Sequence, residues 1–124
     1  MSTVLVVDDS PMFRELISDL LKKIGLTVVE ACDGLEAMEK IQASCPDLVV
    51  MDIVMPRMNG YELCRWIKND PQAQNVPVVM CSTKSEAFDV HWGKKQGGDA
   101  YIAKPFAAKE LAQTVKQLLH RPGS

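Results

Sequence analysis

The sequence predicts an α/β fold, a doubly wound parallel sheet with helices above and below it. Two observations predict it. Five short runs rich in Val, Ile, Leu and Met, at roughly 3–8, 26–31, 47–52, 76–81 and 99–103, are apolar without alternation, which suits strands buried on both faces. Helical patterns at roughly 10–24, 34–43, 59–69, 84–96 and 107–120 follow them one for one, giving five βα units.

The elements carry their own start and stop signals. The first helix is expected to open on Ser10 as N-cap, with Pro11 at its first position, and to turn Phe13, Leu16, Ile17, Leu20, Leu21 and Ile24 to one apolar face before Gly25 ends it. Later helices open on capping-box spacings, Asp33 to Glu36, Asn59 to Glu62 and Thr83 to Glu86, and Gly97 is placed to end the fourth. In that fourth helix Ala87, Phe88, Val90 and Trp92 span too wide an arc for one packed stripe, with Lys94 and Lys95 nearby, so one aromatic is expected at the surface. A loosely packed helix with a solvated basic face and a partner-docking surface both fit that pattern. The fifth helix, with Leu111, Val115, Leu118 and Leu119, runs to a short tail at Arg121 to Ser124, so a single domain over 1–124 without an output domain is expected.

Composition narrows the class. The 124 residues are 47% hydrophobic and 24% charged with a net charge of -2, which suits one globular domain and gives no sign of a nucleic-acid surface. Neither a basic leader nor a membrane-length apolar stretch opens the chain, so a cytoplasmic location is expected. Cys32, Cys45, Cys64 and Cys81 lack metal-site spacing and stand among apolar neighbours, and they read as buried free thiols.

The chemistry gathers where the strands end. Asp52 closes the run Asp47-Leu48-Val49-Val50-Met51-Asp52, where a lone carboxylate is costly without a partner. Asp8 and Asp9 close the first run, Ser82 and Thr83 the fourth, and Lys104 follows the fifth. In an open parallel sheet, ligands bind beyond the carboxyl ends of the strands, so these residues share the functional edge. Three ionised carboxylates repel unless one is protonated or a hard divalent cation sits among them, and Mg²⁺ accepts such a partial oxygen set. With Lys104 and one Mg²⁺ the charges sum to zero, which prepares the edge for a phosphoryl dianion arriving on a carboxylate nucleophile. Singly, each feature has a plainer reading: Asp8-Asp9-Ser10 as a helix cap, Asp52 as a turn residue, Lys104-Pro105 as a surface turn. Their joint placement favours the functional one.

The motifs Val-Val-Asp8-Asp9-Ser10, Met51-Asp52 with Met55-Pro56 and Asn59-Gly60, Ser82, and Tyr101-Ile102-Ala103-Lys104-Pro105-Phe106 resemble those of two-component receiver domains, the CheY-like response regulators. The resemblance covers essentially the whole chain. It implies a flavodoxin-like (βα)5 sheet in strand order 2-1-3-4-5 and a signalling switch that acts chemically only on itself. It further implies that Asp52 accepts a phosphoryl group from a histidine kinase or phosphotransfer protein. Asp8, Asp9, Asp52 and the Val54 backbone carbonyl would hold Mg²⁺, and Lys104, after which a cis peptide bond to Pro105 is implied, would bind the phosphoryl group. By the same resemblance Ser82 moves onto the phosphoryl group and Tyr101 turns inward, coupling the site to a surface of helix four, strand five and helix five that regulates a separate output protein. Val54 and Lys84 would flank the hydrolytic water and set the phosphoryl lifetime. Phe88-Asp89-Val90-His91-Trp92-Gly93 also resembles receivers tied to type IV pilus motility and phototaxis in cyanobacteria.

Three other readings compete. A phosphate sink would drain a shared kinase without an output partner. A flavodoxin-like cofactor binder shares the architecture, but Asp8 and Asp9 would repel a flavin phosphate where that fold cradles it. A magnesium phosphohydrolase would need a lid or substrate pocket that these short loops do not suggest.

Overall fold

Every expected run becomes a strand and every helical pattern a helix in the computed structural model, which describes residues 2–120. In chain order the elements are β1 (Thr3–Val7), α1 (Pro11–Lys23), β2 (Thr27–Ala31), α2 (Gly34–Ala43), β3 (Leu48–Met51), α3 (Gly60–Asn69), β4 (Val78–Ser82), α4 (Ala87–Lys95), β5 (Ala100–Ala103) and α5 (Ala108–Leu119). The five strands pair in parallel in the order β2-β1-β3-β4-β5. The expected tail at Arg121 to Ser124 lies outside the described residues.

Side-chain alternation along the strands builds two cores. On one face Leu5, Val7, Val49, Met51, Val78 and Met80 meet Ala37 and Ile41 of α2 and Leu63, Cys64 and Ile67 of α3. On the other Val4, Val6, Leu48, Val50, Val79, Cys81 and Ile102 meet Ile17 and Leu21 of α1 and Leu111, Val115 and Leu118 of α5. The central strands β1, β3 and β4 are thus covered twice, as their unbroken apolar runs require.

The edge strand β2 departs from that expectation: Thr27 and Val29 are exposed, because helices do not fully cover a rim strand. Its pairing with β1 uses alternate residues, with the Thr27 N–H on the Ser2 carbonyl and the Asp8 N–H on the Ala31 carbonyl. The Glu30 carbonyl therefore points away from the sheet, and the Lys40 ammonium donates to it. The Glu30 carboxylate pairs with Arg14 at 3.1 Å.

The caps explain the helix ends. The Ser10 Oγ accepts from the Phe13 N–H, with Pro11 at the start of α1, and Gly25 follows the helix at φ 92°, a left-handed turn that glycine adopts without strain. In α3 the Asn59 side chain accepts from the Glu62 N–H at 2.9 Å, while Glu62 accepts from the Asn59 N–H at 3.2 Å. Asn59→Ala is expected to lower stability by about 1 kcal/mol, read as a lower urea midpoint at unchanged slope. An unmoved midpoint would count against the capping role.

Three local expectations are corrected. Thr83 does not cap α4: the helix starts at Ala87, and the Glu86 N–H donates instead to the Asp89 carboxylate at 3.3 Å. Leu16 leaves the apolar face of α1 and lines an open groove with Leu20, Ala108 and Ala112, because α5 meets that face only along its edge. Cys32 and Cys45 are exposed rather than buried, since each stands in a connection at the end of an element. All four thiols are pushed above their ordinary range. Burial takes Cys64 to about 11 and Cys81 to about 12, so both are inert. Phe88 and Trp92 are both at the surface, 74% and 41% exposed.

Candidate functional site

Backbone bonds that extend the parallel ladders one step past the strands assemble the site. The Asp8 N–H donates to the Ala31 carbonyl at 3.1 Å, the Asp52 N–H to the Val7 carbonyl at 3.0 Å and the Lys104 N–H to the Ser82 carbonyl at 2.9 Å. The residue after each strand is therefore registered by its neighbour, and its side chain stands over the carboxyl edge.

Asp8, Asp52 and Lys104 are 1%, 9% and 8% exposed, so their charges must be satisfied internally. The Lys104 Nζ lies 2.7 Å from Asp8 Oδ2 and 3.1 Å from Asp52 Oδ2. Asp8 Oδ1 accepts from the Ser10 N–H at 2.9 Å, and Asp52 Oδ1 accepts from the Ile53 and Val54 N–H groups at 2.6 and 3.3 Å. Burial pushes the Asp8 carboxyl up, and the Lys104 ammonium draws it only partly back. Burial also opposes the Lys104 charge, but the two carboxylates outweigh it and hold the ammonium above its ordinary range.

Asp9, on the solvent side, completes the acidic group: ligand atoms of Asp8, Asp9 and Asp52 all lie within 4.8 Å of one another. Three carboxylates against one ammonium leave an excess of negative charge on an all-oxygen donor set open at one side. That fits a hard divalent cation such as Mg²⁺, which keeps part of its water shell. The same excess opposes a flavin phosphate at the end of β1.

Ser82, fully buried at the end of β4, accepts from the Lys84 N–H at 3.2 Å. Tyr101 on β5 donates its hydroxyl to the Lys84 carbonyl, and the Lys104–Pro105 peptide is cis. Val54 and Lys84 are exposed in the loops after β3 and β4.

Sequence reasoning missed several supporting residues. Phe13 is placed with its ring centroid 4.1 Å below the Lys104 Nζ, a cation–π contact. Arg14 donates to the Asp8 carbonyl at 2.8 Å. The available signal was position: both lie in the first turn of α1, directly after Asp8 and Asp9. Arg57 adopts φ 67° and pairs through its guanidinium with the buried carboxylate of Asp33, which caps α2. That pairing, with the Glu36 N–H, holds the Asp33 carboxyl below its usual range. It ties the loop after Asp52 to the neighbouring helix, and no local pattern announces it.

A doubly wound sheet with a buried lysine between two carboxylates at its carboxyl edge has the form of a signalling receiver. The family model of the response regulator receiver domain matches residues 4–116, and the chain belongs to that family. Receiver domains are signalling switches, and binding Mg²⁺ in an acidic pocket is a general feature of the family. Among relatives, protein PilG of Pseudomonas aeruginosa is 42% identical over 113 residues, covering 91% of this chain and 84% of PilG. Protein PilH of the same organism is 35% identical over 119 residues, covering 96% of this chain and 98% of PilH. The chain spans about half the length of the DNA-binding response regulator MtrA of Mycolicibacterium smegmatis, 37% identical over 118 residues that cover 95% of this chain and 50% of MtrA. The structure of chemotaxis protein CheY4 of Vibrio cholerae superposes with a TM-score of 0.90 at 32% identity, covering 95% of this chain and 98% of CheY4. Among the described residues no helix is long and apolar enough to cross a membrane.

Proposed function

We propose that the chain is a phosphorylation-driven switch in which Asp52 accepts a phosphoryl group from a histidine kinase or phosphotransfer protein. The observation that carries this reading is the buried Lys104 ammonium bridging Asp8 and Asp52, with Asp9 at the open side. An Asp52 carboxylate oxygen attacks phosphorus, the bond to the donor breaks, and the donor leaves with its electron pair. Lys104 neutralises phosphoryl oxygens as it gives up part of its pairing with Asp52, and the Ser82 hydroxyl donates to another. Asp8, Asp9, Asp52 and the Val54 carbonyl would hold Mg²⁺, which offsets the charge that builds up in the transition state. Val54 and Lys84, at the mouth, set the lifetime of the phosphoryl group by screening water.

The output is a changed surface of α4, β5 and α5 that acts on a separate protein through Ser82 and Tyr101. The Phe88 to Gly93 segment and the relatives named PilG and PilH support a place in chemosensory control of pilus motility or phototaxis. A cytoplasmic location fits a partner kinase of this class. A phosphate sink shares the same site chemistry, and capture of a partner that depends on phosphorylation separates the two.

Intact-mass spectrometry after incubation with acetyl phosphate or phosphoramidate and Mg²⁺ tests the reading. One phosphoryl adduct is expected on the wild type and none on Asp52→Asn or with EDTA. No wild-type adduct with either donor would sink the phosphoacceptor role.

A further inference from the structure

Helix α4 is held differently from the other four. Among the described residues it contributes no side chain to either core cluster, and its buried residues are Asp89 and Gly93. Apolar burial therefore does little to fix it, and polar contacts from α3 take over. The Tyr61 hydroxyl donates to the Asp89 carbonyl at 3.3 Å, the Cys64 thiol lies 3.4 Å from the Gln96 carbonyl, and Arg65 donates to the Gln96 side chain at 2.8 Å. Residues at i, i+3 and i+4 share one helix face, so α3 presents these three to α4 together.

A second line of contacts runs from β5 to the site. The Lys84 peptide groups are used on both sides, the carbonyl accepting from Tyr101 and the N–H donating to Ser82 Oγ. Because Ser82 receives that bond as an acceptor, its own O–H stays free to be donated. The Tyr101 ring packs where Gly93 has no side chain: a Cβ there would lie 3.0 Å from two ring carbons and 2.7 Å from the Met80 sulfur. Tyr61 and Tyr101 pack side by side against the same core, and burial, then the neighbouring Tyr61, raise the Tyr101 hydroxyl.

We propose that Tyr61 is a positioning residue of the switch: its bond to the Asp89 carbonyl fixes the start of α4 and so holds Tyr101 and the Lys84 peptide in the arrangement that keeps Ser82 ready to donate to Asp52's phosphoryl group. This rests on Asp52 being the phosphoacceptor. The hydroxyl is the part that matters, so Tyr61→Phe isolates it and preserves the packed ring.

Two measurements test the proposal, the first without any phosphoryl donor. In Tyr61→Phe the amides of α4 are expected to exchange with solvent about two- to tenfold faster, with β1 and β3 unchanged, as loss of one neutral hydrogen bond in a locally opening element predicts. The second uses beryllofluoride with Mg²⁺ as a phosphoryl analogue. Its affinity is expected to fall by a similar factor in Tyr61→Phe and to fall little further when the substitution is made in a Tyr101→Phe background, a dependence that a merely structural role would not show. Unchanged α4 exchange, unchanged or tighter beryllofluoride binding, or an equal fall in both backgrounds would overturn it. Wild type that binds no beryllofluoride would overturn the phosphoacceptor reading and this proposal with it; wild-type binding with an unmoved Tyr61→Phe affinity overturns the proposal alone.

Discussion

Lys104→Met is expected to lose about 3 kcal/mol of stability in EDTA, because it strands two buried carboxylates that one ammonium now serves. Asp8 and Asp52 both lean on the same Nζ, and methionine keeps an unbranched side chain while removing the charge that stands over the Phe13 ring. The figure is at the low end for breaking a buried pair, since the site opens to solvent past the exposed Asp9. Mg²⁺ should restore more stability to the variant than to the wild type, because a cation among the carboxylates takes over what the ammonium did. Phosphoryl uptake should fall at the same time. Urea unfolding with and without Mg²⁺ reads both stability effects; equal Mg²⁺ responses in the two proteins would show that the lysine and the metal do not share these carboxylates.

Gly60→Ala is expected to be of similar size for a different reason. An added Cβ would collide with the Asp52 carbonyl oxygen and sit 2.9 Å from Ile53 Cα, and both are backbone atoms that cannot swing aside. The Gly60 N–H donates to the Ile53 carbonyl at 2.8 Å, so helix α3 is docked onto the residue directly after the phosphoacceptor candidate. Relief must move Asp52 itself. A loss of about 3 kcal/mol, the upper part of the range for overpacking, should accompany slower phosphoryl uptake. A urea midpoint equal to that of the wild type would mean that the loop yields more freely than its contacts indicate.

What the sequence made legible was local or periodic. Apolar runs located β1, β3 and β4 because both their faces are buried, and Ser10, Asp33 and Asn59 marked helix starts because a cap acts within three residues. Asp8, Asp52 and Lys104 could be grouped because strand ends in a parallel sheet share an edge. The misses needed contacts between distant segments. Phe13 under Lys104, Arg57 on Asp33 and the exposure of Leu16 depend on where α1, α2 and α5 finally pack. The late start of α4 has the same origin, since Lys84 is claimed by Ser82 and Tyr101 before it can enter a helix.

The lysine on the outward carbonyl of β2 has a consequence for behaviour in concentrated solution. A rim strand offers unpaired peptide groups to any passing chain, and edge-to-edge pairing is the usual route from a sound monomer to an aggregate. Here the Glu30 carbonyl is already occupied by Lys40, and Arg14 holds the Glu30 carboxylate beside it, so an incoming strand meets charge and a used acceptor. The opposite rim, β5, is only four residues long. A fold whose sheet must stay open at one end for chemistry is thus guarded against growth along its sides.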